Sequence, residues 1–446
     1  MHVDSDGMVG VHRSSAKGGL GRELLRDPMQ VMTDISKSPT PVVKSRAGLI
    51  PIFFVTDPAL AIQVLQTDVD TFRRNPLLNH IFKTLSGDNL FTTSGEAWAW
   101  RRRAISPAFR SGPLTQTIGP IVGAIDAEIA GWPRSEPVDV QPLTMNMALA
   151  AAAGALFGAH LSPDRMSVVR DAMDSAVGWI NHRLEHPLAG PAFLPTNTNR
   201  SMRRGRAAIE AMILELIEER RATPGSADDV LERLINATDP DSGQELTESQ
   251  IGTEAFVLLF AGHETTASAA AWAMELLACN PEVQDRARAE IDVVLDGHTL
   301  GSEQLTELQY VRAVIDETLR LFPPAWGIPR MPYRTTNLGP ARIRRFSPVI
   351  VAVAAIHRNP KTWHEPERFD PARFLHASDR PPASFQPFGL GPRQCVGARF
   401  ATNELLVFLA TILSQATVSP ATDQPATPDA AFGLRAKGSS LIFEPR

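Results

Sequence analysis

The clearest helical pattern in the chain runs from about Thr247 to Cys279. Thr247 and Gln250 stand three positions apart at its start, which is the spacing of a helix-capping box, and Asn280 followed by Pro281 ends it. A helix of this length extends about 48 Å, enough to cross a whole domain. Because its middle is apolar on every side, we expect this helix to be central and buried.

Helical periodicity also dominates most of residues 59–280, a shorter stretch at 305–321 that two prolines end, and the segment that follows Cys395. Residues 360–392 are rich in proline and lack periodicity, so they are predicted to be irregular. Long irregular segments in compact domains usually carry function. This one leads directly to a cysteine.

Two segments favour β-structure, residues 40–57 and 325–356, with a strand candidate at 347–356. The polar, glycine-rich residues 1–18 are expected to be disordered, and residues 19–446 to form a single domain. The patterns therefore predict a mainly α chain with a small β-rich lobe.

The composition is that of an ordinary globular protein, with 43% hydrophobic and 21% charged residues and a net charge of -5 over 446 residues. This balance gives no reason to expect nucleic acid as a partner. The two cysteines exclude a disulfide framework and fit a reducing cytoplasm. The apolar stretch 147–159 is shorter than a membrane span, so we expect a buried helix there and no membrane association.

The strongest chemical signal is the sequence FGLGPRQCVG, which runs from Phe388 to Gly397 around Cys395. Its glycines permit tight turns that direct amide N–H groups at the sulfur, and the following helix is expected to lower the thiol pKa. Such a thiolate could ligate iron. The simplest alternative is a small buried hydrophobe, whereas no ligand spacing supports a zinc site.

This segment resembles the haem-ligating loop of the cytochrome P450 family, F-x-x-G-x-R-x-C-x-G, and the resemblance covers about residues 40–446. It implies the cytochrome P450 fold, with the long central helix over a haem b. It also implies that Cys395 is the metal ligand, that Phe388 and Gly397 contact the cofactor, and that the chain is a monooxygenase.

The middle of the long helix carries Glu264 and Thr265 within the sequence AGHETT. A buried glutamate is costly unless it is paired, hydrated or used, and a threonine here can bond the carbonyl of Ala261, four residues back. In similar enzymes such a pair relays protons for oxygen activation, and Ala261 lies beside the haem. The alternative is a capping-type or interhelix hydrogen bond. His263 is expected to be a packed histidine rather than a ligand.

Trp98 and Arg102 match the family pattern W-x-x-x-R and share one helical face. The resemblance implies that both bind one haem propionate and that Arg330 and Arg393 bind the other, because a guanidinium matches a carboxylate with two hydrogen bonds. Arg101 and Arg103 are interpreted instead as a solvated basic face.

Glu317 and Arg320 stand three apart on one helical face, and Arg368 follows in the irregular segment. On the resemblance, these three form a buried charge cluster that supports the fold on the sulfur side of the haem. Loss of one member should leave the others unpaired at a cost of a few kcal/mol.

The resemblance assigns substrate contacts to positions spread along the chain. Their aromatic and aliphatic character suggests an apolar or aromatic molecule that is hydroxylated, or oxidatively cyclised or coupled, in bacterial specialised metabolism. The positions are His80, Phe82, Val257, Ala261, Ala325, Trp326 and Phe432.

No dinucleotide-binding fingerprint occurs, so electrons from NAD(P)H are expected through a separate ferredoxin and ferredoxin reductase. Arg399 and Lys361 could present a basic rim to that acidic partner, and the enzyme is expected to be a cytoplasmic monomer. Two other classes stay open: a peroxide-driven haem-thiolate enzyme or isomerase, and a non-enzymatic haem sensor.

Overall fold

The computed structural model describes residues 2–3, 9–14, 19–158, 161–186, 189–223, 225, 228–376, 380–430 and 432–446. Most of the segment for which disorder is expected, residues 1, 4–8 and 15–18, lies outside the described residues. Of the remainder, Gly10–Val11 pairs in parallel with a strand at Val42–Ala47. The division of the chain at residue 18 stays a prediction.

Helices make up most of the described chain. They are α1 Gly19–Arg26, α2 Pro28–Ser36, α3 Pro58–Ile62, α4 Pro76–Ser86, α5 Glu96–Ile105, α6 Ser111–Ala130, α7 Val140–Phe157, α8 Pro163–Glu185, α9 Asn197–Ala222, α10 Val230–Ile235, α11 Glu248–Cys279, α12 Pro281–Leu295, α13 Ser302–Glu307, α14 Gln309–Leu321, α15 Val353–Ile356 and α16 Ala398–Gln415.

The strands are short and form four sheets. They are β1 His2–Val3, β2 Gly10–Val11, β3 Val42–Ala47, β4 Ile50–Val55, β5 Phe72–Arg73, β6 Val138–Asp139, β7 Ile328–Pro332, β8 Thr336–Leu338, β9 Ala341–Ile343, β10 Val349–Val351, β11 Ala416–Pro420, β12 Thr427–Ala430, β13 Leu434–Lys437 and β14 Ser440–Pro445.

The central helix α11 confirms the prediction from its pattern. Thr247 caps it, and the reciprocal hydrogen bonds between Thr247 and Gln250 complete the capping box. Most of its side chains are buried, and α7 packs along it. Helix α7 is apolar and long enough to span a membrane by length and composition, but 72% of it is buried inside the protein.

The two β-rich segments of the sequence meet in one seven-stranded sheet, in which β10 pairs with β4 in parallel and with β7 antiparallel. The prediction of a strand at 347–356 is wrong beyond Val351, because Val353–Ile356 forms the helix α15. A continuous apolar run does not distinguish a buried strand from a buried helix.

The helix expected at 305–321 is divided into α13 and α14 at Leu308. The cause is tertiary: the carboxylate of Glu290, on α12, accepts hydrogen bonds from the backbone N–H groups of Tyr310 and Val311 and so caps a new helix there.

The irregular character predicted for residues 360–392 is confirmed for its described part, which contains only the short 3-10 turns Pro371–Phe374 and Gly391–Arg393. Helix α16 starts three residues after Cys395, as predicted. The antiparallel pair of β12 and β13 was not predicted from the sequence, and β13 packs against α11. Both α16 and β13 pack against α11.

Candidate active site

The loop around Cys395 is held by backbone contacts. The N–H of Cys395 donates to the carbonyl of Phe388 at 3.0 Å, and Gly397 directs its N–H at the sulfur. Gly391 has φ +70°, and a Cβ there would collide with the carbonyl of Leu65. The loop therefore depends on glycine at this position.

Burial raises the pKa of the Cys395 thiol, although the Gly397 N–H and Arg102 act in the opposite direction. The expected net lowering of this pKa is therefore wrong, because desolvation outweighs the helix end. The side chain nevertheless has accessible surface. Both observations hold when a side chain lines a cavity within the protein, and binding to a metal would itself deprotonate the thiol.

Four guanidinium groups gather near this loop. They belong to Arg74, Arg102, Arg330 and Arg393, and burial lowers the pKa of Arg74 to about 9 and the pKa values of Arg330 and Arg393 to about 10. Within the described ranges none of the four forms an ion pair with a carboxylate. Mutually repelling cations brought together in this way fit a ligand with two carboxylates.

Sequence reasoning identified three of these four arginines and missed Arg74. Its signal was weak, because Arg74 lies in a loop beside another arginine, and only the fold places it within the field of Arg330 and Arg393. Arg393 also lies over the ring of Trp98 at 4.1 Å and donates to the carbonyl of Thr93 at 2.8 Å.

A thiol lining a cavity beside four arginines fits haem, which offers a metal for sulfur and two propionates for the guanidinium groups. Cys395, Arg74, Arg102, Arg330 and Arg393 are the residues that could hold it. Phe388 and Gly397 shape the sulfur loop, and their contact with the cofactor stays a prediction.

The interpretation of Arg101 as part of a solvated face is wrong, whereas the side chain of Arg103 is 33% exposed. Arg101 is only 6% exposed, and its Nε lies 3.7 Å from the buried carboxylate of Glu254. Arg103 binds Asp239 with two hydrogen bonds, at 2.7 and 2.9 Å. A run of arginines in sequence does not show which members turn inward on a helix.

In the middle of α11, the Thr265 hydroxyl donates to the carbonyl of Ala261 at 2.6 Å, which is the bond expected from the sequence. Glu264 is fully buried, and its Oε1 lies 2.8 Å from two nitrogens of Arg435. Its Oε2 has no hydrogen-bond partner among the described residues. Burial raises the pKa of Glu264, whereas Arg435 lowers it.

His263 is a packed histidine rather than a ligand. Its Nε2 lies 3.1 Å from the carbonyl of Met145, and burial lowers its pKa to about 4, so the ring is neutral near pH 7.

A second buried carboxyl, Glu404 on α16, was missed. Both of its oxygens lack a well-aligned partner in the described part of the chain, and burial raises its pKa well above the usual range. Thr266 is near enough to stabilise its charged form. The glutamate falls on an apolar helix pattern, and the sequence offered no other signal for it.

Aromatic rings from α4, from α11 and from two loops form a wall. The ring of Phe82 lies 4.9 Å from Phe91 and 5.6 Å from Phe432, and Phe432 lies 4.9 Å from Phe260. The structure thus brings together two of the positions expected to contact substrate, Phe82 and Phe432. The wall also includes Phe91 and Phe260, which were not predicted.

The other positions expected to contact substrate are more scattered. Val257 is buried on α11, and Ala261 lies one turn further along the same helix. Trp326 is partly buried against a neighbouring core, whereas His80 and Ala325 are exposed. Their contact with substrate stays a prediction.

The buried charge cluster behind the cysteine loop has a different third member from the one predicted. Glu317 pairs with Arg320 at 2.6 Å and with Arg373 at 3.0 Å. Arg368 contributes only its backbone carbonyl, to Arg320, while its exposed guanidinium pairs with Glu365. Two arginines lie five residues apart in the irregular segment, and only its path decides which of them turns inward.

Comparison with known proteins agrees with this geometry. Residues 19–443 match the family model described as cytochrome P450. Cyclooctatin synthase of Streptomyces melanosporofaciens is 30% identical over 97% of this chain and 95% of its own length. Cyclooctat-9-en-7-ol 5-monooxygenase of the same organism is 30% identical, over 89% and 86%.

Pentalenene oxygenase of Streptomyces avermitilis is 29% identical over 90% of this chain and 89% of its own length. The crystal structure of the cytochrome P450DA heme domain has a TM-score of 0.84 at 23% identity, covering 98% of this chain and 97% of that one. The fold, the matched family and the monooxygenases among its relatives agree: the chain belongs to the cytochrome P450 family and is a cytochrome P450 monooxygenase.

Proposed function

We propose that this enzyme inserts oxygen from O2 into an apolar cyclic molecule of the terpenoid class, with hydroxylation as the default outcome. One oxygen atom enters the product and the other leaves as water, and the reaction consumes two electrons and two protons. The observation that supports this proposal best is the Cys395 loop together with four arginines that have no carboxylate partner among the described residues.

Haem b, held by Cys395 and the four arginines, supplies the activation of O2 when it is bound. The protein positions the substrate and controls protons. The Thr265 hydroxyl, bonded to the Ala261 carbonyl, weakens the regular hydrogen bonding of α11 at this point and can orient a water molecule. Oε2 of Glu264, which has no partner in the described chain, can accept a proton from that water and return it.

The substrate class rests on the aromatic wall and on the relatives. Phe82, Phe91, Phe260 and Phe432 offer ring faces and edges but no charge, which suits recognition of an apolar molecule by shape. Relatives of this chain are named for the oxidation of a cyclic alkenol and of pentalenene. Ring closure or coupling by the same oxidant would use the same wall.

Electrons come from NAD(P)H through a ferredoxin and its reductase in this proposal. Arg399 lies in the first turn of α16, close to Cys395 in sequence, and Lys361 is exposed on the irregular segment before it. Such a basic rim favours an acidic partner. We place the enzyme in the cytoplasm as a monomer without nucleic-acid or membrane partners.

The thiolate assignment is tested by the spectrum of the reduced protein with carbon monoxide. The wild-type protein should show the red-shifted Soret band of thiolate ligation, and Cys395→Ala should lose it. The replacement Cys279→Ala is the matched control and should retain the band. If the wild-type protein lacked the red-shifted Soret band, the proposal would lose its basis.

The oxidant is tested by turnover. Ferredoxin, its reductase and NAD(P)H should support product formation, whereas peroxide alone should support much less; the opposite result would favour the peroxide-driven class, and no turnover with either would favour a sensor. Thr265→Ala should lower product formed per NAD(P)H roughly tenfold or more, and Thr265→Ser should retain most of it.

The substrate class is tested by spin-state shifts on binding. Cyclic terpenoid alcohols and olefins should produce shifts at lower concentrations than charged or planar polar compounds. Phe432→Ala should weaken binding of the best compound, and Val293→Ala, which changes an exposed residue on α12, should leave it unchanged.

A further inference from the structure

The segment from Phe432 to Arg435, at the start of β13, is fixed to two helices. The N–H of Phe432 donates to the side-chain oxygen of Asn181 on α8 at 2.9 Å. The indole N–H of Trp272 on α11 donates to the carbonyl of Leu434 at 2.8 Å. The backbone of this segment is therefore held at both ends of Gly433.

Gly433 lies directly against α11. A Cβ at this position would approach Ser268 Oγ to 2.9 Å and the carbonyl of Glu264 to 3.3 Å. The close packing leaves no space between Gly433 and α11, so the segment can be displaced only by moving relative to this helix as one unit. A displacement of one of its residues is therefore transmitted to the next.

The two ends of this short segment have different surroundings. The ring of Phe432 belongs to the aromatic wall, where it contacts Phe82 and Phe260. Three residues on, the guanidinium of Arg435 contacts Oε1 of Glu264 through Nε and Nη2, both at 2.8 Å. The segment thus connects a surface that an apolar ligand would touch with a buried carboxylate.

Arg435 is the cation that acts on Glu264 among the described residues. Burial raises the pKa of Glu264, and Arg435 opposes this by its charge and by hydrogen bonding. Gly433 and Asn181 also stabilise the charged form but carry no charge. His263, on the same helix, is neutral, and Glu404 of α16 interacts with Thr266 rather than with Glu264.

We infer that Arg435 is the positioning residue for Glu264, and that the segment from Phe432 to Arg435 couples substrate contact at the aromatic wall to the protonation of this carboxylate. In the absence of substrate, Arg435 holds Oε1 and favours the ionised form of the glutamate. A substrate that displaces the Phe432 ring shifts Arg435 and so changes the proton affinity of Glu264. This inference rests on the proposed function, because it concerns the same proton relay.

The first test is an infrared titration of the protonated Glu264 carboxyl in the ferric enzyme, assigned by its absence in Glu264→Gln. Replacing a cation beside a buried carboxylate typically shifts its pKa by about one unit or more. Arg435→Gln should therefore raise the titration midpoint by about that amount, and Arg435→Lys should restore most of the difference. Lys437→Gln, which removes the next basic residue on the same face of β13, is the matched control and should not shift it.

The second test measures coupling through Phe432. Saturating substrate should shift the Glu264 midpoint in the wild-type enzyme, and in Phe432→Ala this substrate-induced shift should be less than half as large. The pH dependence of product formed per NAD(P)H should move upward in Arg435→Gln, in parallel with the infrared midpoint.

An unchanged infrared midpoint in Arg435→Gln would overturn the positioning role. A full substrate-induced shift in Phe432→Ala would overturn the coupling. Either failure with an intact carbon monoxide spectrum and normal wild-type turnover leaves the proposed function standing, whereas loss of that spectrum in the wild-type protein would overturn the proposed function itself.

Discussion

Glu317 and Glu264 are both fully buried glutamates that pair with arginine, yet their surroundings differ. Glu317 accepts hydrogen bonds on both oxygens, from Arg320, from Arg373 and from the backbone N–H of Asp370, at 2.6 to 3.0 Å. Glu264 is held on Oε1 by Arg435, while its Oε2 has no well-aligned hydrogen-bond partner in the described chain and only the uncharged groups of Gly433 and Asn181 nearby.

A carboxylate with every lone pair engaged has little capacity to accept a proton, because protonation would break several charge-assisted hydrogen bonds. A carboxylate with one free oxygen, in surroundings that already raise its pKa, can gain and lose a proton at small cost. Burial by itself therefore does not distinguish a structural glutamate from a proton-handling one, whereas the number of its donors does.

The largest expected effect on stability follows from removing the charge of Glu317, the glutamate with hydrogen bonds on both oxygens. Glu317→Gln should lower the free energy of unfolding by about 3 to 5 kcal/mol, because it leaves Arg320 and Arg373 without their anion. Urea unfolding followed by circular dichroism measures this. Glu264→Gln is the matched replacement and should lower the free energy of unfolding by at most about 1 kcal/mol. Equal losses in the two variants would show that Glu264 is as structural as Glu317.

Glu254 extends the comparison to a third buried glutamate. Burial raises the pKa of Glu254 from 4.5 to about 7. The folded state binds this proton more tightly than the unfolded state. The contribution of Glu254 to stability is therefore greatest below pH 4.5 and falls by about 3 kcal/mol as the pH rises to 7. Unfolding measured across this range should show that decline, and Glu254→Gln should remove it. A decline of the same size in the variant would assign it to other groups.

The smallest effect separates the two candidate partners of Glu317. Arg373→Ala should cost about 2 kcal/mol, since Glu317 keeps Arg320 and a backbone donor. Arg368→Ala should cost less than about 0.5 kcal/mol, because its guanidinium makes only an exposed pair with Glu365. Thermal unfolding of the two variants compares them directly, and the reverse order would restore the original assignment of Arg368.

Features that depend on neighbours in the chain were predicted well. The capping box of Thr247 and Gln250, the buried character of α11 and the start of α16 after Cys395 all follow from local spacing and helix periodicity. Thr265 bonds Ala261 for the same reason, since four residues along a helix bring a hydroxyl to a carbonyl.

Features that depend on distant segments were missed or misassigned. Arg74 joins the arginine cluster through the folding of a loop, and Arg373 replaces Arg368 because of the path of an irregular segment. Leu308 interrupts a periodic pattern because Glu290 caps the next helix. The hydrophobic periodicity of the chain predicts none of these three features.

Residue types and short-range spacing were enough to identify the family, the thiolate loop and the acid and hydroxyl on the central helix, because these belong to continuous stretches whose geometry is local. Tertiary packing alone determines which arginines lie near the Cys395 loop and which cations pair with Glu317. It also brings Arg435 of β13 to Glu264. The packing of distant helices and strands determines which charged residues meet, and one fold accepts many different patterns of charged residues. The order of charges along the chain therefore does not predict these pairs.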